Sequence, residues 1–142
     1  MPAAFFVVRA TVSDPTRRQA FDAWYSREHL PDAMRSFGAV KAWRYWSATD
    51  PSLHEAMYQF TDKAALDRAI EGPDMKRLVA DFNRDWPDVT RTREVLVLAE
   101  ERAAQDARRR IRRGEDASSQ MRATQKYRKD DKSSAANNST RK

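Results

Sequence analysis

The feature that most limits the folds open to this chain is the run AAFFVVRATV at positions 3–12. Its β-branched and aromatic residues and its lack of any breaker predict a strand. Alternation sends Phe6, Val8, Ala10 and Val12 to one face and Phe5, Val7, Arg9 and Thr11 to the other. Apolar residues dominate both faces, so this strand belongs in the interior of a sheet, flanked on each edge. The rest of the chain has to supply those flanking strands.

Three later segments fit that requirement. AVKAWRYWSA (39–48) and HEAMYQFT (54–61) read as strands joined across the turn Asp50-Pro51-Ser52, and RTREVLVL (91–98) reads as a fourth. Between them the period changes. Ser13-Asp14-Pro15 signals a helix start, and Phe21, Trp24, Tyr25 and Leu30 form its apolar stripe. Pro31 is expected to end or kink this helix close to His29, with a short turn from Asp32 to Ser36 before Gly38. Asp62 caps a helix over 63–70, Gly72-Pro73 interrupts it, and a further helix over 74–84 buries Met75, Leu78, Val79 and Phe82. Trp86-Pro87 closes that helix. The order strand, helix, strand, strand, helix, strand is that of an α+β, ferredoxin-like βαββαβ fold, with a four-stranded antiparallel sheet and helices on one face. The bare sheet face then needs cover, most simply from a second copy of the chain.

Composition separates a domain from an appendage. All four tryptophans and all six phenylalanines precede residue 87. Residues 1–98 carry 14 Lys/Arg and 14 Asp/Glu, so the whole net charge of +6 resides in residues 99–142. One domain is expected over 1–100, and a basic, largely disordered tail over 101–142, with a charged helix extending to about residue 113 as an alternative for its start. RRRIRR (108–113) and KYRKDDK (126–132) would support only weak, salt-sensitive and non-specific contacts with nucleic acid or acidic surfaces. A solvated extension without such a role is the plainer reading. No cysteine is present, which excludes disulfides and thiolate chemistry. The absence of a signal-peptide pattern and of a long apolar run predicts a cytoplasmic protein with no membrane partner. Two histidines without cysteine make a metal site unexpected, and three glycines without a phosphate loop make flavin or nicotinamide unexpected, so no cofactor is anticipated.

Chemistry concentrates in WYSREHLP (24–31). Phe21, Tyr25 and His29 lie along one side of a helix, with Trp24 and Glu28 as a neighbouring pair. A tyrosine and a histidine on one side can share a proton or grip one substrate, as general acid–base chemistry requires. The alternative is an amphipathic helix that ends in a Glu28–His29 cap. A helix C-terminus would favour imidazolium at His29, and burial among aromatics would favour neutral imidazole. Arg9, a charge amid apolar residues, needs a partner or a ligand. Arg44, between Trp43 and Tyr45, could bind a carboxylate or stack on a ring. Arg91 and Arg93 share a strand face, with an interface ion pair as the alternative to a ligand contact. Tyr58 is a candidate pocket wall, and His54 a structural residue near a turn.

The segment FDAWYSREHLPDAM, above all its W-Y-x-x-E-H-L-P, together with the closing WPDVTRTREVLVL, resembles the EthD-like branch of the dimeric α/β-barrel superfamily across about residues 3–100. That resemblance implies two ferredoxin-like monomers joined through their sheets, each with a pocket between sheet and helices. It implies a small, aromatic or polyketide-like substrate and cofactor-independent monooxygenase, isomerase or cyclase chemistry. His29 matches the motif position and would act as general base or as donor to a developing oxyanion, with Tyr25 beside it. Trp24, Glu28, Arg9, Arg44 and Tyr58 are the candidates for substrate contact. Haem-degrading relatives use an Asn on the first strand, and residues 3–12 contain none. A non-catalytic dimeric binding or scaffolding domain, with the tail making weak anionic contacts, is the competing reading.

Overall fold

The computed structural model describes residues 2–104, and the residues up to Glu100 form one compact unit. Strand β1 is Ala4–Thr11, followed by a 3-10 turn at Pro15–Arg17. The Asp14 carboxylate accepts from the Thr16 amide at 2.9 Å, which supplies one of the donors that a helix start leaves open. Helix α1 (Arg18–Trp24) runs into a π-helical turn at Tyr25–His29 and then into α2 (Leu30–Phe37). Strands β2 (Lys41–Trp46) and β3 (Leu53–Phe60) form the hairpin. Helices α3 (Lys63–Glu71) and α4 (Pro73–Asp85) precede β4 (Thr90–Val97).

The antiparallel sheet has the order β2-β3-β1-β4, so β1 is interior, as its two apolar faces predict. Register assigns the faces. Phe6 stands opposite Tyr58 and Val95, Val8 opposite Ala56 and Arg93, and Ala10 opposite His54 and Arg91. These residues face the helices. The core lies there, with Phe6, Phe21, Tyr25, Tyr58, Phe60, Leu66, Leu78 and Phe82 all buried. The outer face carries Phe5, Val7, Arg9, Trp43, Tyr45, Met57 and Leu96. No helix among the described residues is long and apolar enough to cross a membrane.

One expected boundary is corrected. The helix does not stop at His29 but continues through Pro31 to Phe37. The Leu30 amide donates to the Tyr25 carbonyl, the i→i−5 pattern of a π turn. Widening the helix there accommodates a proline that lacks an amide and would crowd an ordinary α turn. The true stop is Gly38, at φ 67° and ψ 34°, with the Ala39 amide returning to the Met34 carbonyl at 3.2 Å. Residues 98–104 carry no regular secondary structure. The remainder of the suggested helical extension, the disordered stretch and both basic segments lie outside the described residues.

Candidate functional site

Between the inner face of the sheet and helices α2 and α4 lies a cavity of about 130 Å³. Its apolar walls are Phe6 and Val8 from β1, Ala33 and Phe37 from α2, and Met75, Leu78, Val79 and Phe82 from α4. Its polar groups are Tyr25, His29, Tyr58, Arg91 and Arg93. A bidentate pair holds the helical layer closed at its outer edge. Arg77 of α4 donates to both Asp32 oxygens of α2 at 2.8 and 3.0 Å, and to Ser36 Oγ at 2.8 Å.

The π turn brings Tyr25 and His29 to this cavity together. Their rings meet edge to face at 4.9 Å, while Trp24 stacks on the other side of His29 at 4.7 Å and 17°. Phe82 closes on the imidazole at 5.5 Å. Among the described residues neither ring nitrogen of His29 has a hydrogen-bond partner. Burial, seconded by the Arg91 charge, lowers its pKa to about 4. The imidazole is thus neutral at physiological pH, with one nitrogen able to accept a proton. Burial pushes Tyr25 up to about 12 and Tyr58 well above the phenol range, and a hydrogen bond links the two hydroxyls. Both tyrosines are therefore held as phenols.

The two arginines approach from β4. Arg91 lies flat over the Phe82 ring, 3.8 Å from its centroid, and its Nη2 donates to Asn83 Oδ1 at 2.6 Å. Burial and the charge of Arg93 lower its pKa. Arg93 is exposed. The sequence shows only that the two share a strand face. Their convergence on the cavity follows from the pairing of β4 with β1, and that register is not visible before the sheet is assembled.

The remaining candidates are dispersed. Tyr58 lines the cavity. Trp24 lies behind His29 and donates its indole N–H to Asp85. Glu28 is exposed and does not line the cavity. Arg9 is on the outer sheet face, bonded to Glu55 at 2.9 Å and Glu94 at 3.0 Å. Arg44 belongs to an adjoining cluster. It donates to Asp22 at 3.0 Å, lies 3.2 Å from His54 Nε2, and sits 5.8 Å from the centre of the Tyr25 ring. The indole of Trp46 donates to the same Asp22 oxygen at 2.8 Å. Because a guanidinium only donates, His54 Nε2 must accept, which puts the imidazole proton on Nδ1. That Nδ1 is buried without a hydrogen-bond partner, and His54 stays neutral, its pKa lowered to about 4 by burial and then by Arg44. Sequence reasoning gave His54 no part in this cluster, since the pairing of β2 with β3 is what brings its ring to Arg44. No group of three or more His, Asp or Glu residues among those described is placed to hold a metal ion.

No protein-family profile matches the chain, and no curated protein matches it in sequence. Similarity appears in solved structures. The cofactor-independent oxygenase SnoaB from Streptomyces nogalater superposes with a TM-score of 0.57 at 17% identity, over 73% of this chain and 100% of that one. A dimeric ferredoxin-like protein from an uncultured marine organism gives 0.55 at 16% identity, over 72% and 100%. An EthD family protein from Bacillus halodurans gives 0.50 at 18% identity, again over 72% and 100%. At such identities the likeness establishes the fold alone: this chain has a ferredoxin-like fold, with a four-stranded antiparallel sheet covered by helices on one face.

Proposed function

We propose that the protein is a cytoplasmic homodimer, joined through the outer sheet face, that binds a small aromatic or polyketide-like molecule in the cavity. There it carries out cofactor-independent monooxygenase, isomerase or cyclase chemistry of the EthD-like kind. The observation that carries this reading is the neutral, unpartnered His29 at a partly open cavity with apolar walls, beside two phenols. The step common to these chemistries is removal of a proton next to a carbonyl or from a phenol. A nitrogen of His29 accepts that proton, and the electron pair left behind delocalises onto the substrate oxygen. Tyr25, held as a phenol, is a donor for that oxygen. In the oxygenase variant the resulting carbanion or phenolate reduces dioxygen. SnoaB, with the same fold, is a cofactor-independent oxygenase, which supports the class without naming the substrate. For the dimer, the support is the apolar outer face with Tyr45 47% and Leu96 38% exposed, and the dimeric ferredoxin-like neighbour.

One observation favours the competing reading of a binding or scaffolding domain: His29 is packed between Trp24 and Phe82 as a core ring would be. An NMR titration of the His29 ring protons, with and without a panel of phenols and quinones, separates the two. A pKa that moves with one ligand class supports the acid–base site. A pKa indifferent to every ligand supports the structural role. Sedimentation of the unmutated chain against Trp43→Glu tests the dimer. The expected result is a dimer that the charge converts to monomer; two monomers would reject it.

A further inference from the structure

The cavity carries a charge imbalance that proton removal by His29 does not by itself require. Two arginines line it and no carboxylate does. Several other arginines of this chain are paired with acids: Arg9 with Glu55, Arg17 with Asp88, Arg44 with Asp22, Arg77 with Asp32 and Arg84 with Asp85. Arg91 instead has a neutral amide and an aromatic face as partners, at 2.6 Å to Asn83 and 3.8 Å to the Phe82 centroid. Those contacts fix the guanidinium plane and leave its charge uncancelled. Arg93, two residues along the same strand face, is exposed, and among the described residues no carboxylate pairs with either arginine. The charge of Arg93 disfavours that of Arg91, an effect that a bound anion would reverse.

We propose that Arg91 and Arg93 form an oxyanion subsite at the solvent-facing end of the cavity, and that the ligand is accordingly a planar aromatic acid. Its rings fill the apolar part between Phe6, Phe37 and Leu78, and a carboxylate or ionised enol meets the guanidinium groups. The space, on the order of ten water molecules, matches one or two fused rings. Arginine suits this task because its planar fork presents paired donors to such an anion while its face stays stacked on Phe82. The subsite rests on the reading that the cavity takes a small molecule, and adds to it the charge of that molecule and the direction in which it lies.

Isothermal titration calorimetry on the full-length chain tests this with two matched pairs: β-naphthoate against β-naphthamide, and hydroxynaphthoquinone, ionised at neutral pH, against its methyl ether. Each anion should bind about tenfold more tightly than its neutral partner, as expected for a hydrogen bond to a charged group. Arg91→Gln should remove that preference while leaving the neutral compounds within about twofold, and Arg91→Lys should retain part of it. The tighter of the two anions identifies carboxylate or enolate as the preferred group. Equal affinity of anion and neutral partner for the unmutated chain would overturn the subsite and leave the cavity reading standing. Absence of binding by all four compounds would overturn both. If Arg91→Gln fails to fold, the comparison on the unmutated chain still decides.

Discussion

At the scale of single residues, His29 shows how one backbone detail decides a titration. Had the helix ended there, its terminal carbonyls would have favoured imidazolium in opposition to burial. Because the chain continues to Phe37, that term is absent, and burial and Arg91 both act to keep the ring neutral. The charged groups facing it are Arg91 and Arg77, which lower its pKa, and Asp32 and Asp81, which raise it. The ring protons should therefore titrate near pH 4, and Arg91→Gln should move that value upward by removing the second-largest lowering cause. NMR measures both, and a midpoint at the ordinary imidazole value would contradict the burial of the ring. Tyr25→Phe is the second test. It removes a fully buried hydroxyl and strands that of Tyr58, so it should cost about 1–3 kcal/mol in urea denaturation, more than the lost methylene-scale packing alone.

At the scale of elements, the local signals that were legible are those with a local cause. The Asp62 cap is one: its carboxylate accepts from Ala65 at 2.8 Å. The four strands are another, since a period of two needs no knowledge of the partner. What the sequence hides is what depends on a distant element. Pro31 signals a helix end by its local chemistry, but packing of α2 onto the sheet and the Arg77–Asp32 clasp hold the helical path through it. Arg9, Arg91 and Arg93 look alike in sequence as charges among strand residues. Only the parity of the register sends Arg9 outward to Glu55 and Glu94 and the other two inward to the cavity. Gly38 offers a clean test at this scale. No atom lies within 4 Å of the position a Cβ would take, so Gly38→Ala carries only the conformational cost of a positive φ. Loss of about 1 kcal/mol is expected. Thermal denaturation should register it as a drop of roughly 4–8 °C.

At the scale of the whole molecule, the two histidines make the fold acid-sensitive. Both have folded pKa values lowered to about 4, against an ordinary value of 6.5. The unfolded chain binds these protons first, so stability is intact above the ordinary value, falls as pH drops below it, and levels for these groups once both states are protonated. The loss is on the order of 3 kcal/mol per histidine, a large part of the 5–15 kcal/mol typical of a domain. Urea midpoints should fall steeply between about pH 6.5 and pH 4, and His54→Asn or His29→Asn should flatten that slope relative to the unmutated chain; an unchanged slope in both variants would assign the acid sensitivity elsewhere. Lowered carboxylates such as Asp22 and Asp32 act in the same sense at still lower pH, where protonation breaks their bonds to Arg44 and Arg77.

The π turn at Tyr25–His29 also has a meaning for chains of different length. It holds one residue more than an α-helix of the same path would need. Deleting a single residue there would be absorbed as a regular helix, with the flanking residues keeping their faces and only the spacing of Tyr25 and His29 within the turn changed. Related chains that lack this residue would thus keep the sheet, the helices and the overall outline while Tyr25 and His29 no longer met at the cavity. Presence or absence of that one residue is a simple mark by which chains sharing this site can be sorted from those sharing only its scaffold.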